Sequence, residues 1–96
     1  MIIQHKMTDG KGIFYVDQDG AIVAELVYSE APENKMIIEH TEVDDSLSGK
    51  GIGLQLVKTA IEYARGHQLK IEPLCSFARS IFKKKPEFGD VLFSGL

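Results

Sequence analysis

Hydrophobic and polar positions along this chain follow two different periods, and the change falls just after Gly53. Before it, residues group into short runs rich in β-branched and aromatic side chains: MIIQHKM, GIFYVDQ, AIVAELVYS and MIIEHTEV. Runs of that kind suit a pleated, half-buried surface and predict four strands. TDGK between the first two is turn chemistry, and Asp19-Gly20 marks a second tight turn before the third. EAPENK, a polar loop containing Pro32, leads into the fourth. Connections this short join antiparallel neighbours, so the first half predicts a meander.

Beyond Gly53 the period lengthens to about 3.6 residues. Ile52, Leu56, Val57, Ala60, Ile61 and Ala64 fall on one face of a helix, while Lys58, Glu62 and Arg65 face away. Gly66, just past Arg65, is the expected stop. A helix of about 14 residues spans roughly 21 Å, enough to cross a sheet and return the chain. LKIEPL then predicts a fifth strand, parallel to the fourth through a right-handed crossover. SFARSIFKKK predicts a second helix, with Ser76 as its cap and Pro86 as its end. DVLF reads as a last edge strand. The fold class is therefore α+β: a mixed, mostly antiparallel sheet with two helices, forming one domain over residues 1–96.

Composition narrows what such a domain can do. With 96 residues, 44% hydrophobic and 26% charged, the chain reads as globular and able to bury a small core. A formal net charge of −3 gives no basic footprint for nucleic acid. The N-terminal stretch lacks the long apolar core of a signal peptide, and no window reaches membrane-spanning length. Cys75 is the one cysteine, which excludes an intramolecular disulfide and suits a reducing cytoplasm. One cysteine and three scattered histidines give no metal-ligand spacing, so no metal is expected.

The stretch SGKGIG, Ser48 to Gly53, stands where the fourth strand hands over to the first helix. A helix N-terminus offers unpaired N–H groups and a partial positive charge, and glycines let a ligand come close to the backbone. A Walker A loop needs Ser or Thr after Gly-Lys, but Gly51 follows Lys50. The dinucleotide fingerprint needs G-x-G-x-x-G after the first strand of a parallel unit, and here the spacing is G-x-G-x-G after a fourth, antiparallel one. Both are rejected. Val43 to Leu54 instead resembles the pyrophosphate loop of the GNAT acetyltransferases, R/Q-x-x-G-x-G/A, with Ser48 where that pattern has Arg or Gln. IEHTEV, the glycine loop, KIEPLCSFA and the short length together resemble the small YjdJ-like GNAT subfamily, from the third strand through Phe82. The resemblance implies a minimal GNAT fold with the fourth and fifth strands splayed apart. It also implies acetyl-CoA as cosubstrate, its pyrophosphate on Gly49, Lys50, Gly51, Ile52 and Gly53, with Ser48 counted in the same cofactor-binding loop. The pantetheine arm would then pair with backbone at Glu42 and Val43.

Two residues are candidates for chemistry. Cys75 falls where the fifth strand ends and a helix begins, and His40 lies on the neighbouring fourth strand. On parallel neighbours the two are expected to converge at the mouth of the splay. A thiol at a helix N-terminus beside an imidazole is a competent nucleophile; the ordinary alternatives are a small buried cysteine and a hydrogen-bonded strand histidine. GNAT enzymes often use a tyrosine acid after the fifth strand, yet no tyrosine follows Ser76. Cys75 is then either the acid that protonates the departing CoA thiolate or the carrier of an acetyl-Cys75 intermediate. Glu39 and Glu42 are candidate bases, though strand carboxylates are more often simply solvated. Lys83, Lys84 and Lys85 either meet the 3′-phosphate of CoA or serve the helix C-terminus and water, the second being the ordinary reading.

The expected function is N-acyl transfer from acetyl-CoA to an amine. GNAT domains commonly carry two helices between their first two strands, whereas only TDGKG joins them here. An open acceptor side suits a protein, a peptide or an extended amine. The rival reading is a non-catalytic acyl-CoA-binding or thiol-sensing module. Oligomeric state and acceptor identity are not legible in the sequence.

Overall fold

A computed structural model of the chain describes residues 1–94. Five strands, β1 (Gln4–Thr8), β2 (Lys11–Gln18), β3 (Ala21–Ala31), β4 (Lys35–Val43) and β5 (Lys70–Pro73), form one sheet in that order. The first four are antiparallel and β4 pairs β5 in parallel, as the mixed α+β reading requires. Both early hairpins turn on Asp-Gly pairs with positive φ, Asp9-Gly10 and Asp19-Gly20, the geometry whose twist matches flanking strands. The polar loop is shorter than expected: β3 reaches Ala31 and β4 begins at Lys35.

Helices α1 (Ile52–His67) and α2 (Ser76–Lys84) cover one face of the sheet. The predicted apolar stripe of α1 is the buried one: Leu56, Val57, Ala60, Ile61 and Ala64 are fully buried against Phe14, Leu26, Tyr28, Met36 and Ile38. Each fully buried aliphatic of this kind contributes roughly 1.5–3 kcal/mol. α2 adds Ala78, Ile81 and Phe82 to the same core.

Three boundaries differ from the sequence expectation. Gly66 lies inside α1, which runs on to His67 because the His67 ring stacks on Tyr63 at 4.0 Å and Gln68 takes the left-handed cap position. Its backbone N–H donates to the Ala64 and Arg65 carbonyls. Ser76 is the first helical residue of α2, not its cap; Cys75 caps the helix, its Sγ accepting from the Ala78 amide at 3.3 Å. The DVLF segment is not a strand. Residues Pro86–Val91 wind into 3₁₀ turns that bury Phe88 and Val91, leaving one parallel bridge between Leu92 and Ile71. Arg65 fastens that segment to α1 through Asp90 at 2.9 Å, and the guanidinium holds the Asp90 carboxyl below the usual carboxylate range.

Candidate active site

Strand β4 carries the feature that organises the site. Its register against β3 slips between Val27 and Tyr28: His40 faces Val27, but Ile38 faces Tyr28, leaving Glu39 as the extra residue of a bulge. Residues directly opposite share a face of the sheet. Beyond the bulge, Thr41 therefore sits opposite buried Leu26 and Val43 opposite buried Ala24, on the helix-covered face. His40 and Glu42 turn to the outer face, opposite Val27 and Glu25. Strict alternation from Met36 and Ile38 would have put His40 on the helix side. A one-residue slip reverses every side chain after it.

Strand β5 follows β4 only from Lys35–Lys70 to Ile38–Pro73, with a last bond from the Leu74 amide to the Ile38 carbonyl at 2.9 Å. Past Ile38 the two chains part while β4 continues to Val43. This is the splay, and its helix-side opening leads into a cleft of about 550 Å³ between the β4 end, the start of α1 and the flank of α2. Thr41 and Val43 line its inner part, and Ser48, Gly49, Gly51, Ile52 and Gly53 form one wall. Leu47, Leu54, Phe77, Ser80 and Ile81 supply much of the remaining surface, so the cleft is largely apolar with polar groups at one wall.

Each glycine of the loop has its own reason. Gly49 and Gly51 stand at φ 80° and 74°, and Gly51 is the left-handed N-cap of α1, without a side-chain hydrogen bond. Gln55 makes the first main-chain bond back to Gly51, so the amides of Ile52, Gly53 and Leu54 precede the helix's own pairing. These donors and the positive end of the helix dipole suit an anion at the loop. Gly53 answers a packing demand: a Cβ there would stand 2.8 Å from Cζ of Phe77. Ile52 is buried and anchors the loop from below. Of the residues expected to hold a cosubstrate, Val43, Ser48, Gly49, Gly51, Ile52 and Gly53 line the cleft; Lys50 and Glu42 do not. Glu42 lines a separate polar hollow on the outer face, with Glu25, Asp44 and Asp45.

Cys75 and His40 do not converge. Cys75 is half-buried on the helix side, its Sγ 3.4 Å from the Thr41 hydroxyl. The His40 Nε2 lies on the outer face, 3.2 Å from Glu42 Oε1 and 3.4 Å from Glu25 Oε2. The bulge is the physical cause of the separation. Ligand-type atoms of Glu25, His40 and Glu42 lie within 4.8 Å of one another, a grouping that cross-strand pairing creates and sequence spacing did not predict. Glu39 is engaged elsewhere: it accepts from Lys11 at 2.9 Å and Ser29 at 2.8 Å, and those bonds hold its carboxyl below the ordinary range, a poor setting for a base. Thr41, Phe77 and Ser80 were missed by sequence reasoning. The last two follow from the helical spacing of α2, which aligns residues 77, 80, 81 and 84 on the cleft side.

A glycine-rich strand–loop–helix turn beside a splayed parallel pair is also the frame that comparisons with known proteins bring out. A family model described as GCN5-related N-acetyl-transferase matches residues 13–91. The chain belongs to that family. A GCN5-like protein from Staphylococcus aureus, solved in solution, is 36% identical, with a TM-score of 0.71 over 97% of this chain and 89% of that one. The protein NATD1 of Xenopus tropicalis is 30% identical over 63 residues, 66% of this chain, and the match spans 58% of that protein's length. A Clostridium acetobutylicum protein solved with acetyl-CoA shares the fold, with a TM-score of 0.64 at 16% identity over 79% of this chain and 56% of that one. Among the described residues no helix is long and apolar enough to cross a membrane.

Proposed function

We propose that this chain is an acetyl-CoA-dependent N-acyltransferase of the small YjdJ-like branch, acting as a single domain on an amine carried by a protein, peptide or extended small molecule. The observation that carries the reading is the cleft itself: one largely apolar surface runs from the loop at the start of α1 to Thr41 and Val43, on the part of β4 that has parted from β5. The residues present fit the cosubstrate. The backbone of Ser48 to Gly53 holds the pyrophosphate, and β4 past Ile38 offers backbone groups with no strand partner on the β5 side for the pantetheine amides. Phe77, Ile81 and Leu54 cover the arm from water.

Separation of His40 and Cys75 across the sheet suits the reaction better than their convergence. When an amine attacks a thioester carbonyl, its nitrogen enters from one face of the planar group, and the sulfur leaves as a different substituent of the tetrahedral carbon. A base is needed on the amine side and an acid on the sulfur side. His40, oriented by Glu25 and Glu42, takes the proton from the attacking amine on the outer face. Cys75, beside Thr41 on the cleft side, gives its proton to the sulfur as the carbon–sulfur bond breaks, and solvent restores it. The deciding experiment measures free-thiol release from acetyl-CoA with a panel of peptide and polyamine acceptors, for the wild type and His40→Gln. The reading expects acceptor-dependent release that the variant reduces at least about 100-fold, the low end of what a positioned base supplies. Measurable CoA binding without thiol release for any acceptor in the panel would favour a binding or thiol-sensing module instead.

A further inference from the structure

The cleft is charged on one side only. Lys84 and Lys85, at the end of α2, line it together with Gly49 and Gly51, and no carboxylate does. In a chain of net charge −3 with 14 acidic residues, that is a segregation of charge. Among the described residues neither lysine has an ion-pair partner, whereas Lys11, Lys35 and Arg65 each hold a carboxylate at 3.1 Å or less. Lys84 is exposed and Lys85 half-buried, so both keep their ammonium groups close to water. Their position relative to the loop has chemical meaning. A ligand whose pyrophosphate rests on the α1 amides, with its pantetheine arm directed to Thr41 and Cys75, extends its ribose away from the splay. α2 starts just after its cap Cys75, spans about 13 Å at 1.5 Å per residue, and ends at Lys84 with Lys85 as the following cap residue.

We propose that Lys84 and Lys85 are specificity residues that receive the 3′-phosphate of the CoA ribose, so that the chain distinguishes CoA from its 3′-dephospho form. The proposal rests on the CoA reading above. A phosphate monoester at neutral pH carries close to two negative charges and several strong acceptor oxygens. Two ammonium groups unopposed by carboxylates supply charge-assisted bonds to it. Such a contact adds to ligand affinity without touching the thioester, so it sets selection of the cosubstrate and leaves the chemical step alone.

Calorimetric titration of the full chain with CoA and with 3′-dephospho-CoA tests this. The wild type is expected to bind CoA about tenfold more tightly, the equivalent of one charge-assisted hydrogen bond of about 1.4 kcal/mol. K84Q/K85Q is expected to bind both ligands with the weaker affinity, and K83Q, altered at an exposed lysine off the cleft, to keep the tenfold ratio. Equal wild-type affinity for the two ligands overturns the assignment while leaving the CoA reading intact. Retention of the full ratio in K84Q/K85Q overturns it equally. Absence of binding by either ligand removes the CoA reading, and this proposal with it. The wild-type comparison stands even if the double variant fails to fold.

Discussion

Replacing Cys75 separates two roles that the structure gives to one sulfur atom. The thiol caps α2 through the Ala78 amide at 3.3 Å and faces the hydroxyl of Thr41, a cleft-lining residue, at 3.4 Å. Cys75→Ala removes both contacts. Loss of a helix cap costs about 1 kcal/mol, and in a domain of this size that lowers Tm by roughly 4–8 °C. Cys75→Ser keeps an acceptor at the same place, so its Tm should stay within about 2 °C of wild type, the cap being retained. Its hydroxyl is a far weaker acid than a thiol, however, and cannot replace it in protonating the leaving sulfur. Both variants are therefore expected to lose acetyl transfer by about 100-fold or more, the range for one positioned proton donor. Acetyl-CoA affinity should stay within about threefold, under about 1 kcal/mol, since the capping sulfur lies outside the loop proposed to receive the phosphates. Thermal melts, calorimetry and thiol release measure the three quantities. If Cys75→Ser recovers turnover along with stability, the cysteine is only a cap and the assigned chemistry is wrong.

Other consequences follow from particular contacts. Gly12→Ala should destabilise by about 2–4 kcal/mol in urea melts, beyond ordinary overpacking, because its Cβ would stand 2.2 Å from the Tyr28 ring. That ring is fully buried, and its hydroxyl is held by His5 at 2.6 Å, so it cannot step aside. A cost below 1 kcal/mol would contradict the packing described. Partial desolvation of the ring against Phe14 and Tyr28, and the nearby His67, hold the His5 imidazole below its ordinary value, against a weaker opposing pull from Glu30. The unfolded chain then takes up a proton first as pH falls, so this residue's share of stability is complete above about pH 6.5 and declines below it. Denaturant midpoints recorded between pH 7.5 and 5 should fall less steeply for His5→Phe than for wild type, and parallel curves would count against the assignment. Gly51→Ala places a side chain at φ 74°, which costs roughly 1–2 kcal/mol and tilts the first amides of α1. Acetyl-CoA affinity should drop with stability, and an unchanged Kd would show that the loop does not hold the ligand.

Much of the architecture is legible in the sequence because side-chain periodicity reports burial directly. The two Asp-Gly turns, the stripe from Ile52 to Ala64 and the parallel return at LKIEPL all express patterns one element long. The site is harder to read, and the fourth strand shows why. A bulge adds one residue to the backbone and leaves no mark in composition, so Glu39 looks like any other strand position. Its effect is to exchange His40 and Thr41 between the faces of the sheet. The pairing of Cys75 with Thr41 could not be foreseen without it. Gly53 poses a different difficulty: it resembles its two neighbours, yet the reason for it is Phe77, in another helix. Lys84 and Lys85 look like an ordinary helix end until the crossover folds that end against the glycine loop. Long-range juxtaposition of this kind comes from topology, which local patterns do not encode.

The most direct test of the central claim is an amide-resolved NMR titration of the full chain with acetyl-CoA. The account predicts saturable shifts centred on the amides of Gly49 to Gly53, extending along β4 to Thr41 and Val43 and reaching Cys75. No response in those amides at millimolar ligand would mean that the loop is only a turn into a helix, and the acyltransferase reading would fall.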